Sequence, residues 1–234
     1  DWLYQTLKSQ WPSHISAIAD ACQGYPPMSL RINALRGSRA SYLDQLGQAG
    51  IKATEGKVPS ALTLEQPMDV NALPGFNDGY VSVQDESAQL AAFLLAAVAG
   101  EAVLDACAAP GGKACHILEQ QPNATLVAAD SSNQRLERVR DNAKRLQLNP
   151  QIVCADAADP SQRLGEASFD AIIADVPCSA TGVLRRNPDV KLLRKAGDPR
   201  RFAEQQRQIL AGLWPRLKPG GRLLYVTCSI LNEE

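Results

Sequence analysis

Two cysteines of this 234-residue chain stand where covalent chemistry could be done. Cys178 lies in Asp175-Val176-Pro177-Cys178-Ser179-Ala180-Thr181-Gly182, and Cys228 in Val226-Thr227-Cys228-Ser229. Each comes just past an apolar run that reads as a core strand. A thiolate is a strong nucleophile and, when its pKa is lowered, a workable leaving group. It therefore suits a reaction in which the enzyme adds to an electron-poor carbon and later departs. Free cysteine is more often a small buried hydrophobe. Two at one sheet edge, one beside Asp175, weigh against that bland reading. No C-x-x-C pair exists, and His14 and His116 are the only histidines, so no metal site is expected.

A second segment reads as a ligand loop: Leu104-Asp105-Ala106 followed by Cys107-Ala108-Ala109-Pro110-Gly111-Gly112-Lys113. Small residues between a strand and a helix let backbone N–H groups approach a ligand closely. Two phosphate loops can be tested against it. A P-loop needs Gly six positions before the lysine and Ser or Thr after it, where Cys107 and Ala114 stand. The dinucleotide fingerprint G-x-G-x-x-G is also absent. The next three strands are expected to end at acids. Asp130, 19 residues beyond Gly111, is placed to accept ribose hydroxyls, Asp156 to meet an adenine edge, and Asp175 to sit beside the reactive end. A strand-end aspartate alone is usually a turn or cap residue. The ordered set fits adenosine with an amino-acid tail, the shape of S-adenosyl-L-methionine.

The elements that must hold these residues alternate after residue 75. Apolar runs at 102–107, 125–129, 151–155, 169–174 and 221–227 are separated by room for helices, with helices expected over 86–99, capped by Asp85, and over 202–217. Such alternation predicts an α/β fold with a parallel, doubly wound sheet. Residues 1–75 read as a small α+β unit, with strands at 30–33 and 61–64 and a helix at 41–48, and residues 76–234 as the ligand-binding domain.

Apolar residues make up 45% and charged residues 21%, ordinary for a globular protein, and the net charge of -1 selects no partner. Residues 185–207 are the densest basic stretch, with eight Lys/Arg against three Asp/Glu. Lying beside the Cys178 loop, it could hold phosphates, and Arg31, Arg36 and Arg39 could extend the track. No apolar stretch is long enough for a membrane span, and no secretory signal is present, so a cytoplasmic protein with free thiols is expected.

The segments ACAAPGGKACHIL, ADVPCSATGVLRRNPDVKLLR and YVTCSILNEE, with LRIN, ALPGF and VSVQDESAQ upstream, resemble the Nop/Sun group of RNA cytosine-5 methyltransferases. They are most similar to its bacterial Sun or Fmu branch, which acts on 16S ribosomal RNA. The resemblance spans residues 25–234 and implies a Rossmann-like class I methyltransferase fold. It puts the cofactor loop on Cys107 to Lys113, the ribose-binding acid on Asp130, and other cofactor-contacting acids on Asp156 and Asp175. It makes Cys228 the nucleophile that adds to C6 of cytosine, Cys178 a participant in product release, and Asp175 a group that helps protonate the ring. It implies RNA rather than DNA as partner, with transfer RNA the nearest alternative to 16S ribosomal RNA and a non-catalytic RNA-binding module that keeps the fold the other, and says nothing of oligomeric state. Ala114-Cys115 departs from the hydroxyl residues common there. The family's N-terminal NusB-like helical domain and its last strands are absent from residues 1–234. That marks the chain as a fragment and leaves the fifth strand as an edge prone to self-association.

Overall fold

The computed structural model describes residues 2–234. Two helices, α1 (Trp2–Gln10) and α2 (Ile15–Ala21), precede a small antiparallel sheet. That sheet is built from β1 (Met28–Ile32), β2 (Ala53–Glu55), β3 (Ala61–Leu64) and β4 (Val81–Val83), with α3 (Arg39–Gln48) between β1 and β2. Strand order is β2-β3-β1-β4. Ser38 opens α3 with a capping box, accepting from the Ser41 N–H while the Ser41 hydroxyl accepts from its own N–H. Leu46 and Tyr42 on α3 pack with Leu30 and Leu62 into the core of this unit. The last strand of the small sheet therefore lies beyond the division expected at residue 75: Val81 pairs with Ile32.

The larger unit carries five parallel strands in the order β7-β6-β5-β8-β9. They are β5 (Ala102–Asp105), β6 (Thr125–Asp130), β7 (Gln151–Cys154), β8 (Phe169–Asp175) and β9 (Leu217–Val226). Before the first of them runs α4 (Glu86–Leu95), and between them run α5 (Gly112–Gln120), α6 (Asn133–Leu146), α7 (Ser161–Leu164), α8 (Val190–Leu193) and α9 (Asp198–Leu213). The five strands match the expected apolar runs, and their pleat explains the three layers. Val103, Ala171 and Ile173 face α4, α5 and α6, whereas Leu104, Ile172 and Ala174 face α9. Strand order reverses at β5, so the crevice outside the carboxyl ends of β5 and β8 is where a doubly wound sheet binds ligands. β9 is a sheet edge.

Helix bounds differ from the sequence expectation for local reasons. Asp85 caps α4 as expected, accepting from the Ser87 N–H at 3.0 Å, but the helix stops at Leu95 because Ala96 turns left-handed. Helix α9 starts four residues earlier than expected, at Asp198, with Pro199 in its first turn, where a missing N–H costs nothing.

Arg31 joins the two units. Its side chain is 1% exposed and donates to both Glu119 oxygens at 2.8 and 2.7 Å, to Gln84 Oε1 at 2.8 Å and to the Gly112 carbonyl at 2.6 Å. It cannot extend an RNA track, as expected of it, because its guanidinium is spent inside the protein on Gly112 and Glu119, near the two ends of α5.

Candidate active site

Adjacent parallel strands bring the two cysteines together. Asp175 and Val226 are register partners on β8 and β9, and the Val176 N–H donates to the Val226 carbonyl at 3.1 Å. Three residues beyond Asp175 and two beyond Val226, the Sγ atoms of Cys178 and Cys228 lie 3.2 Å apart. Gly182 lets the loops close: its N–H donates to the Cys228 carbonyl at 2.8 Å, and a Cβ there would sit only 2.8 Å from that oxygen. Cys178 is buried and Cys228 exposed.

The thiols ionise as a pair. Cys178 is lowered to about 7, chiefly by the hydrogen bond from Cys228, with the Cys228 and Ala180 N–H groups adding to it. The same bond, then burial and the Cys178 charge, pushes the remaining proton on Cys228 up. Cys107 and Cys115, by contrast, are pushed up to about 12, mainly by burial, and stay protonated. The pair is thus set apart from the cysteines buried around it.

Asp175 sits beside the pair and receives the Lys113 Nζ at 2.5 Å. Below them, at the end of β5, Asp105 is 1% exposed and neither of its oxygens has a hydrogen-bond donor. Burial, with the charges of Asp175 and Asp130 adding and those of Lys113 and a nearby Cys107 N–H (outside hydrogen-bonding geometry) opposing, raises its carboxyl to about 7. Asp105 was not singled out from the sequence, although it stands inside the loop motif. A lone acid ending a strand reads as a cap until its burial is known.

The small-residue loop turns sharply from β5 into α5. Gly111 has φ +100, a left-handed conformation that suits glycine, and Ala109-Pro110 is a cis peptide. Asp130 steadies this loop and the next at once, accepting from the Ala109 N–H at 3.3 Å and the Ser132 N–H at 3.0 Å. Arg135, also unmarked in the sequence, donates to the Ala109 carbonyl at 3.1 Å and pairs with Asp130 at 3.5 Å. Asp156 lies two residues past β7 and accepts from the Ala158 N–H at 2.9 Å.

A cleft of about 260 Å³ collects Cys107, Ala109, Asp130, Asp156, Asp175, Cys178 and Cys228. Pro110, Gly111 and Gly112 border a neighbouring depression toward the small sheet, and Ala108 is buried in the core beneath the loop. A second cleft, of about 460 Å³, opens on the other side, with Lys113, Arg185, Arg186 and Thr227 in its wall. Asp175 and Cys228 border both. The two clefts can hold two reactants on opposite sides of one thiol. Among the described residues no group of three or more His, Cys, Asp or Glu could hold a metal ion.

The basic stretch is divided in use. Arg194 turns inward, its Nε donating to the Ser179 carbonyl at 2.9 Å beneath the Cys178 loop. Arg186 reaches Asp85, Arg201 pairs with Asp198, and Arg207 with Glu204. Lys191, Lys195 and Arg200 are exposed and make no ion pair among the described residues. Arg39 is engaged by Glu55.

A family described as 16S rRNA methyltransferase RsmB/F matches residues 92–234, and an RsmF/B-like ferredoxin-like domain matches residues 1–71. The chain belongs to the RsmB/F methyltransferase family. The ribosomal RNA small subunit methyltransferase B of Vibrio cholerae is 50% identical over all 234 residues. The chain spans 54% of that relative's length. The crystal structure of PH0851 superposes with a TM-score of 0.94 at 29% identity, over 99% of this chain and 53% of that one. A methyltransferase homologue from Pyrococcus horikoshii gives 0.85 at 26% identity, over 98% and 73%. The RsmB/F assignment agrees with the resemblance in the sequence motifs and with the Rossmann-like class I fold, joined here to a ferredoxin-like N-terminal unit. Among the described residues no helix is long and apolar enough to cross a membrane.

Proposed function

We propose that this chain carries the catalytic centre of an S-adenosyl-L-methionine-dependent methyltransferase that acts on C5 of a cytosine in 16S ribosomal RNA. The observation that carries the reading is the thiol pair at the junction of two clefts. The first cleft suits the cofactor: small residues line its loop side, and Asp130, Asp156 and Asp175 offer acceptors to hydroxyls, an adenine edge and an ammonium group. S-Adenosyl-L-methionine, when bound, supplies an electrophilic methyl group.

Cytosine C5 is too poor a nucleophile to take that methyl unaided. In this reading Cys228 adds to C6 from the second cleft, and its proton passes to the Cys178 thiolate one hydrogen bond away. Asp175, oriented by Lys113, helps protonate the ring nitrogen, so that C5 carries the electron density the new C–C bond needs. After methylation the C5 proton leaves to a base, the C6–S bond breaks as the C5–C6 double bond re-forms, and the ring nitrogen gives its proton back to Asp175. Cys178 then returns its proton to the departing Cys228 sulfur, which is its part in product release. The target base must leave its helix to reach a thiol between two clefts. Lys191, Lys195 and Arg200 hold flanking phosphates, and the work is cytoplasmic, where ribosomal RNA is found.

The test is methyl transfer from labelled cofactor to 16S ribosomal RNA, followed by digestion to nucleosides. Label in 5-methylcytidine is expected. Label confined to transfer RNA would overturn the substrate, and label in another nucleoside would overturn the chemistry.

A further inference from the structure

The two cysteine loops leave separate strands, and something must hold their sulfurs at contact distance. Between them lies a buried hydroxyl cluster. Ser179 Oγ is 3.2 Å from Ser229 Oγ, and Thr181 Oγ1 is 3.1 Å from the same atom. Ser179 and Thr181 are fully buried. Hydroxyls alone leave such a cluster ambiguous, since each can donate or accept.

Glu234 removes the ambiguity. Its carboxylate accepts from the Ser179 N–H at 2.6 Å, from the Ser179 hydroxyl, and from the Ser229 hydroxyl at 2.7 Å. A carboxylate only accepts, so the Ser179 and Ser229 protons are drawn to it, leaving the Ser229 oxygen to accept from Thr181. Charge-assisted bonds of this kind are about twice as strong as neutral ones. Gln206 on α9 backs the arrangement, donating to the Pro177 carbonyl at 2.9 Å and reaching Glu234 Oε1 at 3.4 Å. Tyr225 completes it, its hydroxyl near both Gln206 Oε1, at 2.8 Å, and the Glu234 carbonyl, at 3.1 Å.

We infer that Glu234 is a positioning residue whose carboxylate clamps the Cys178 loop to the Cys228 loop and so sets the separation of the two sulfurs. Ser179 and Ser229, each next in sequence to a cysteine, are the points it grips. The inference rests on the reading of Cys178 and Cys228 as the reacting thiols. Glu234 touches neither sulfur, and its charge by itself raises Cys178, so a midpoint that rises when Glu234 is removed reports the loops and not the lost charge.

The test reads thiol chemistry directly, with no RNA or cofactor. Glu234→Ala, Glu234→Gln and Ser229→Ala are compared with the native chain by peptide-resolved iodoacetamide labelling across pH and by disulfide equilibrium in glutathione buffers. In the native chain the coupled pair should lose its first proton, and begin to label, with a midpoint near 7. In Glu234→Ala the midpoint should return to the ordinary thiol range, and the tendency to close a Cys178–Cys228 disulfide should fall by about tenfold or more. Ser229→Ala removes one grip, and Glu234→Gln keeps an acceptor for the Ser179 N–H, so both should fall between. Methyl transfer, where present, should lose kcat with the KM for RNA unchanged. A lowered Tm with unaltered thiol titration in Glu234→Gln or Ser229→Ala would overturn the inference, as would native-like disulfide closure in Glu234→Ala. Coupled thiols that depend on Glu234 in a chain that methylates nothing would leave the clamp standing and overturn the proposed reaction instead.

Discussion

Asp105 lies under the cofactor loop with no donor to either oxygen, and its titration should be visible in stability. Its carboxyl is raised to about 7 by burial first and by Asp175 and Asp130 after that. The folded chain therefore holds this proton more tightly than the unfolded chain does. Stability should fall as pH rises from the ordinary aspartate range to about 7 and level off above it. The full rise corresponds to on the order of 4 kcal/mol. Urea unfolding at pH 5 and pH 8 should show Asp105→Asn losing about 2–3 kcal/mol less than the native chain, and parallel losses would refute the assignment. Cys178, Cys228, Asp130, Asp156 and Asp175, which one cleft collects, were legible as residue types at strand ends. The roles of Asp105 and Glu234 were not, because an unpaired or bridging carboxylate is defined by neighbours far away in the chain.

At the scale of elements the parallel strands were readable, since the inner three, β5, β6 and β8, are apolar runs buried along most of their length. The start of α9 was not: Asp198-Pro199-Arg200 reads as a turn until its neighbours show that Pro199 occupies a first helical turn. Arg31 misled for a related reason. A cation in a short strand reads as surface, yet β1 is buried along its whole length, so Arg31 has to be paired inside the protein. Burial in turn raises the Glu119 carboxyl even against Arg31, so neither partner is comfortable alone. Arg31→Ala should cost about 3–5 kcal/mol by stranding the Glu119 charge. Replacing both by apolar residues of similar volume should recover most of it. Equal losses in the single and double variants, measured by urea unfolding, would show that the pair is not what joins α5 to the small sheet.

The 234 residues carry a net charge of -1, so the RNA contact proposed for them has to be local. Lys191, Lys195 and Arg200 are exposed, without the partners that occupy Arg194, Arg201 and Arg207. Each phosphate they neutralise should contribute about 0.7 to the slope of log K against log salt on single-stranded RNA. Replacing all three by alanine should flatten that slope by about 2 while leaving the thiol titration intact. An unchanged slope would move the RNA to another face. Residues 185–207 pointed to the surface, but only the fold separates cations that brace the loop from those that face outward.

Covalent trapping tests the central claim most directly. RNA carrying 5-fluorocytosine cannot lose a proton from C5 after methylation, so an adduct formed at C6 persists through a denaturing gel. The native chain and Cys178→Ala should form the adduct with 16S ribosomal RNA in the presence of S-adenosyl-L-methionine, and Cys228→Ala should form none. An adduct that survives in Cys228→Ala and disappears in Cys178→Ala would reverse the two thiols and contradict the account.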